Sequence, residues 1–372
     1  MKDFKNLDIS TAKDYLLKKE VSSLELTTFF IKRIEESKLN CFITHTFEDA
    51  IEKAKESDKK ISRNKEIGIL EGIPIGMKDL FCTKGIRTTA GSKILENFIP
   101  FYESTVSKNL LNDGAVILGK TNMDEFAMGS ANTTSFFGNV INPLKSNHEN
   151  NKNLVPGGSS GGSASSVAAN LCMAATGSDT GGSIRQPASF CGLVGLKPSY
   201  GRCSRFGMIA FASSLDQAGP ITKTVKDAAI MLQSMSSYDE KDSTSSRKPI
   251  PQYLDFLNFN LKGKKIGLPT EYKVEGLNLE IVEVWEDTIN FFKKNGAEII
   301  NISLPHTSFA LPTYYIIAPA EASANLARYD GVKYGFREKS DDLQDMYECT
   351  RAKGFGDEVK RRIMIGTYVL SA

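Results

Sequence analysis

The stretch VPGGSSGGSASSVAANLCMAATGSDTGGSIRQPASFCGLVGLKP, Val155–Pro198, concentrates glycine, serine and alanine far above the rest of the chain. A solvated Gly/Ser linker would not carry the apolar piece VAANLCMAAT between its two glycine runs. A phosphate-cradling loop needs Gly-Lys-Ser/Thr at the end of a run, and neither run has it. Close packing of backbone on backbone is one remaining reading. The other is a pair of catalytic loops. Acyl transfer builds negative charge on the former carbonyl oxygen, and main-chain N–H groups converging on one point stabilise it. Glycine permits that convergence because no Cβ blocks the approach of substrate. On this reading Ser183 is the nucleophile, and the N–H groups of Thr180, Gly181, Gly182 and Ser183 form the oxyanion hole.

A serine nucleophile needs a base. The chain has three histidines, His45, His148 and His306, none within a motif, and no Gly-x-Ser-x-Gly elbow. Lysine can replace histidine when burial keeps its amine neutral. Lys78, in GIPIGMKDLF, has the setting that best fits burial, although a Lys78–Asp79 surface turn reads equally well from local sequence. Ser159, in the first glycine run, stands where it can relay a proton between Lys78 and Ser183.

Around this block, helical and strand signals alternate. VSSLELTTFFIKRIEES opens with Ser22 and Glu25 at capping-box spacing and then carries an apolar helical stripe. EGIPIGMKDLF reads as a buried strand running into a loop, and TVSKNLLNDGAVILGKTN as helix, Asp-Gly turn and strand. LEIVEVWEDTINFFKKNGAEIINISL repeats that grammar, with Ile281, Val284, Trp285, Ile289 and Phe292 on one stripe that Gly296 ends. The pattern predicts an α/β fold. Residues 146–153 and 237–252 read as surface loops, the second either a domain boundary or a long loop within one domain.

Composition narrows the function classes. A formal net charge of +2 gives no basic field for gripping nucleic acid directly. Six cysteines without a Cys-x-x-Cys pair predict reduced, packed thiols and no metal site. No apolar run is long enough for a membrane span, and the N-terminus has no apolar signal core, so no membrane contact and a cytoplasmic location are expected.

GIPIGMKDL, GGSSGGSA and GSDTGGSIRQPASFCGLVGLKPSYGR together resemble the amidase signature family, whose members use a Ser-Ser-Lys triad. The resemblance implies Lys78 as base, Ser159 as relay serine after a cis peptide, and Ser183 as acylated nucleophile, with Ser160 and Ser163 as loop and cap residues. It implies a mixed central β-sheet covered by α-helices on both faces, as a single domain over 1–372, with an N-terminal helical segment at about 1–65 and a signature core at about 70–230. Further segments, among them TNMDEFAMGSANTTSFFGNVINP and GFGDEVKRRIMIGTYVLSA, are similar to the glutaminase subunits of tRNA-dependent amidotransferases within that family. That likeness implies glutamine as substrate and no cofactor in this chain. It implies ATP and Mg²⁺ in a partner B subunit, a small C subunit completing a heterotrimer, and misacylated tRNA reached through the partner. Carried over position by position, it places the glutamine α-carboxylate at Arg362, with Tyr314 assisting and Arg361 one residue away from the same role. Arg185 is expected to pair with Asp179. The family's chains run beyond Ala372 into a stretch carrying the acidic group for the α-amino end, so the C-terminal part reads as incomplete. A free-standing amidase acting on small amides and a non-catalytic scaffold are the alternatives.

Overall fold

In the computed structural model, which describes residues 4, 7–63, 65–145 and 152–371, six strands form one sheet. They are β1 (Phe42–His45), β2 (Pro74–Lys78), β3 (Val116–Thr121), β4 (Ala174–Asp179), β5 (Val194–Gly195) and β6 (Gln217–Thr222), in spatial order β1-β3-β2-β4-β6-β5. The three central strands β3, β2 and β4 run parallel, while β1 is antiparallel to β3, and β6 is antiparallel to both β4 and β5. The sheet is therefore mixed, as expected. Every residue of β2, β3, β4 and β6 is buried. Strands covered on both faces read as unbroken apolar or small-residue runs rather than as alternation, which is why AVILG was legible as a strand.

The parallel strands place the site. Lys78, Thr121 and Asp179 are the last residues of β2, β3 and β4, and Lys78 pairs with Thr121 in register. In open α/β sheets the crevice beyond the strand carboxyl ends is where ligands bind, because the chain leaves the sheet there into loops. Here those loops include the second glycine run.

Helices hold the sheet as their sequences predict. The helix Ser23–Glu36 starts with a reciprocal box in which Ser22 Oγ accepts from the Glu25 amide at 3.1 Å and Glu25 Oε2 accepts from the Ser22 amide at 2.8 Å. The short helices Gly161–Ala168 and Arg185–Phe190 pack through Ala164, Ile184, Ala188 and Cys191 onto Ile221 of β6. Their small side chains bring both glycine loops down onto the sheet end. All six cysteines are free, five of them buried. Among the described residues, no helix is long and apolar enough to cross a membrane.

The chain divides into two compact units, Met1–Leu254 with Ile317–Ala372, and Asp255–Ile316, a division absent from the single-domain reading. The second unit is a βαβ of its own. β7 (Lys265–Pro269) and β8 (Glu298–Ile302) pair in parallel, joined by the helix Leu279–Lys294. The predicted stripe Ile281, Val284, Trp285, Ile289 and Phe292 lines an apolar pocket with Ile266, Leu268 and Ile299. Periodicity identifies such a unit without saying which sheet it joins. Residues 237–252 belong to the first unit, where Asp242 binds the Arg205 guanidinium at 2.6 Å.

Candidate active site

Lys78 closes β2, where its backbone N–H donates to Thr176 Oγ1 at 2.8 Å. Both Lys78 and Asp79 are fully buried, which rules out the surface turn. The Lys78 ammonium position touches three hydroxyls, Ser159, Ser160 and Ser178 Oγ, each at 2.8 Å from Nζ. Burial lowers its pKa to about 7, against the opposing fields of Asp124, Asp179 and Asp216. The amine is thus poised to change protonation near neutrality. Ser160 Oγ donates to the Ser178 carbonyl at 3.3 Å, so toward Lys78 it can only accept. A neutral amine has one lone pair, and that lone pair is left for Ser159 or Ser178. Sequence reasoning named Ser159 alone and treated Ser160 as a loop residue. Ser178 was missed, although it lies two residues from Thr176 and so on the same face of β4.

The two glycine loops meet at the next step. The Gly158–Ser159 peptide is cis. Gly158 donates its N–H to Gln186 Oε1 at 2.9 Å, and the Ser159 carbonyl accepts from the Asp124 amide at 3.2 Å. A Cβ on residue 158 would lie 2.0 Å from Asp124 Oδ2, so only glycine fits. The Ser160 amide donates to the Ser183 carbonyl at 3.3 Å, which ties the second glycine loop to the residue after Ser159. Ser183 is 8% exposed.

Asp179, at the end of β4, organises the turn around Ser183. It accepts from the amides of Gly182 at 2.7 Å and Ile184 at 3.2 Å, and pairs with Arg185 through Nε at 3.0 Å and Nη2 at 2.9 Å. The Arg185–Asp179 pairing expected from sequence is present. Burial acts to raise the Asp179 pKa, yet the guanidinium and the loop amides outweigh it and hold the carboxylate below its usual range. One member of the expected oxyanion set changes. The Gly182 N–H is turned into the loop toward Asp179, at a φ of +134° that side-chain-bearing residues rarely adopt, and the amides of Thr180, Gly181 and Ser183 remain without a protein acceptor among the described residues.

Opposite this loop, Asp216 just precedes β6 and accepts from Thr180 Oγ1 at 2.5 Å and from the amides of Phe211 at 2.9 Å and Ala212 at 3.2 Å. Burial raises its pKa to about 6, with those three donors and the Lys78 charge opposing. The Arg362 guanidinium lies 5.4 Å from the Phe211 ring centroid, is 8% exposed, and pairs with Glu358 at 2.8 Å. Arg361 faces solvent and pairs with the other Glu358 oxygen at 2.7 Å. Of the two arginines, Arg362 is the buried one and Arg361 the exposed one. Tyr314 belongs to the second unit, where its ring packs edge-on against Tyr315. His45 stacks on Phe47 and His306 is exposed, while His148 lies outside the described residues. Among the described residues no group of three or more His, Cys, Asp or Glu is placed to hold a metal ion.

The family described as Amidase matches residues 25–372. The chain belongs to the amidase family. It is 58% identical over 374 residues to the A subunit of glutamyl-tRNA(Gln) amidotransferase from Wolbachia pipientis wMel, covering all of this chain and 76% of that one. It is 60% identical over 368 residues to the protein of the same name from Caulobacter vibrioides, covering 99% and 75%. Among solved structures, the corresponding A subunit from Thermotoga maritima superposes at a TM-score of 0.74 with 39% identity, over 99% of this chain and 72% of that one. The peptide amidase of Stenotrophomonas maltophilia superposes at 0.82 with 29% identity, over 98% and 78%. The amidase fold, the likeness to amidotransferase A subunits and an enzyme function thus agree with the reading from sequence.

Proposed function

We propose that this chain is the glutaminase subunit of a glutamyl-tRNA(Gln) amidotransferase, with Ser183 attacking the side-chain amide of glutamine. The observation that carries the reading is the buried Lys78 amine, 2.8 Å from Ser159 Oγ, in a chain 58–60% identical to A subunits of that enzyme. Neutral Lys78 takes the Ser159 proton as Ser159 takes the Ser183 proton, and Ser183 Oγ bonds to the amide carbon. The negative charge on the carbonyl oxygen is met by the unpaired amides of Thr180, Gly181 and Ser183. Collapse of the tetrahedral intermediate returns the proton along the same hydroxyls to the leaving nitrogen, giving ammonia and a glutamyl ester on Ser183. Water then attacks the ester with the relay running as before, and glutamate leaves.

Arg362 is the contact we propose for the α-carboxylate, a reading supported by its burial and by the Phe211 face that carries its guanidinium. The ammonia serves a partner B subunit that uses ATP and Mg²⁺ to activate misacylated tRNA, with a C subunit joining the two in a heterotrimer working in the cytoplasm. No group in this chain is assigned to ATP. The test is ammonia release from glutamine and from a simple peptide amide, by the chain alone and with its B and C partners. Release from glutamine that Ser183→Ala abolishes supports the proposal. Release from the peptide amide but not from glutamine points to a free-standing amidase, and no release in any assembly to a scaffold.

A further inference from the structure

Asp216 is a buried carboxylate to which the acyl-transfer scheme gives no part. It lies at the same end of the sheet as the catalytic loops, because Gln217, the first residue of β6, pairs with Asp179, the last of β4. Its two oxygens have different duties. Oδ1 accepts from the Thr180 hydroxyl and the Ala212 amide, and Oδ2 accepts from the Phe211 amide. The first contact holds the start of the loop that presents the free amides to Ser183. The others hold the turn whose Phe211 ring supports the Arg362 guanidinium. We infer that Asp216 is a positioning residue for glutamine hydrolysis, pinning the oxyanion loop and the turn beneath Arg362 to a single carboxylate so that both ends of the substrate site share one register. The inference rests on the reading of Ser183 as nucleophile and Thr180 as part of the oxyanion loop.

A neutral apolar pin would satisfy packing but not these three donors, and an ionised carboxylate accepts all three at once. The charge has a second consequence. Asp216 faces Lys78 from β2 and Arg205 from the loop before it, and its field is one of those that raise the Lys78 pKa against burial, beside Asp124 and Asp179. The Asp216 charge therefore favours the protonated form of Lys78.

Thr180→Val, at a half-buried position, removes the pin without touching the carboxylate. In the amidotransferase complex it should lower kcat for ammonia release about 10- to 100-fold, the range for a lost hydrogen bond to a charged group, and leave the pH midpoint of kcat/KM in place. Thr180→Ser, which keeps the hydroxyl, should recover most of that loss. Asp216→Asn should lower kcat comparably and move the rising limb of the pH profile to lower pH, because a charge that raises the Lys78 pKa is gone. A purely structural lesion would not move that limb. Thr180→Val combined with Asp216→Ala should be no worse than Asp216→Ala alone, since both remove the Thr180–Asp216 bond. If Asp216→Asn does not fold, judged by circular dichroism, the Thr180 pair decides. Wild-type kcat in Thr180→Val, or an unmoved limb in a folded Asp216→Asn, overturns the inference while an inactive Ser183→Ala keeps the nucleophile reading. Turnover surviving in Ser183→Ala overturns both.

Discussion

Replacing Lys78 with Met should make the protein's stability less dependent on pH in a calculable way. The unfolded chain holds this lysine at its ordinary value of 10.5, and burial lowers it to about 7 in the folded protein. Between those values the unfolded state carries a proton that the folded state does not. Stability contributed by the site therefore rises with pH across the window from about 7 to about 10.5. At one pKa unit per 1.4 kcal/mol, the depressed pKa costs about 4 kcal/mol of stability near neutrality. Met removes that cost but leaves the hydroxyls of Ser159 and Ser178 without their shared partner, a penalty of roughly 1–2 kcal/mol each. The two contributions oppose, so the net change at one pH decides little. The hydroxyl penalty does not vary with pH, however, and other titrating groups cancel between the two proteins. The unfolding free energy of wild type minus that of Lys78→Met should thus climb by about 1.4 kcal/mol per pH unit, or about 3 kcal/mol from pH 7.5 to 9.5. Urea unfolding followed by circular dichroism measures it; Trp285, the single tryptophan, sits in the second unit and would report the wrong part. A flat difference over that range would refute a neutral Lys78. The same proton must leave before turnover, so kcat/KM should rise about tenfold per pH unit below about 7 and level off above it.

Other outcomes follow from the same geometry. Lys78→Ala and Ser159→Ala should each lose nearly as much ammonia release as Ser183→Ala, and the pairwise doubles little more, because the three act as one relay. Gly158→Ala should lower thermal stability by about 1–3 kcal/mol and abolish turnover, since its Cβ would press on Asp124 Oδ2 at 2.0 Å and on the Ala131 amide at 2.9 Å. Arg362→Ala should raise KM for glutamine about 10- to 100-fold with a smaller effect on kcat, the cost of losing a charged hydrogen-bond partner. Arg361→Ala, which removes only an exposed pair worth less than about 1 kcal/mol, should leave KM within about twofold, and equal effects at the two positions would remove Arg362 from its assigned role.

Much of the sheet was legible because its central strands are covered on both faces, so VILG in β3 and PIGM in β2 stand out as apolar runs between turn residues. The capping box at Ser22 and Glu25, the stripe on Leu279–Lys294 and the Arg185–Asp179 pair were legible for another reason, as each depends on residues close in the chain. Less visible were contacts that cross the sheet. Ser178 meets Lys78 only because β2 and β4 are neighbours, and Asp216 reaches Thr180 only because β6 runs antiparallel to β4.

From its sequence alone this protein declared which chemical groups it carries and in what order: two serines in glycine loops, a lysine read in the loop after an apolar strand, and no histidine where a triad would need one. Folding decided their states. Burial at the carboxyl end of the sheet gives Lys78 an amine that titrates near neutrality, and the turn geometry at +134° directs the Gly182 N–H to Asp179. Both depend on desolvation and on distances between segments far apart in the chain, and those quantities exist only once the strands have been brought side by side.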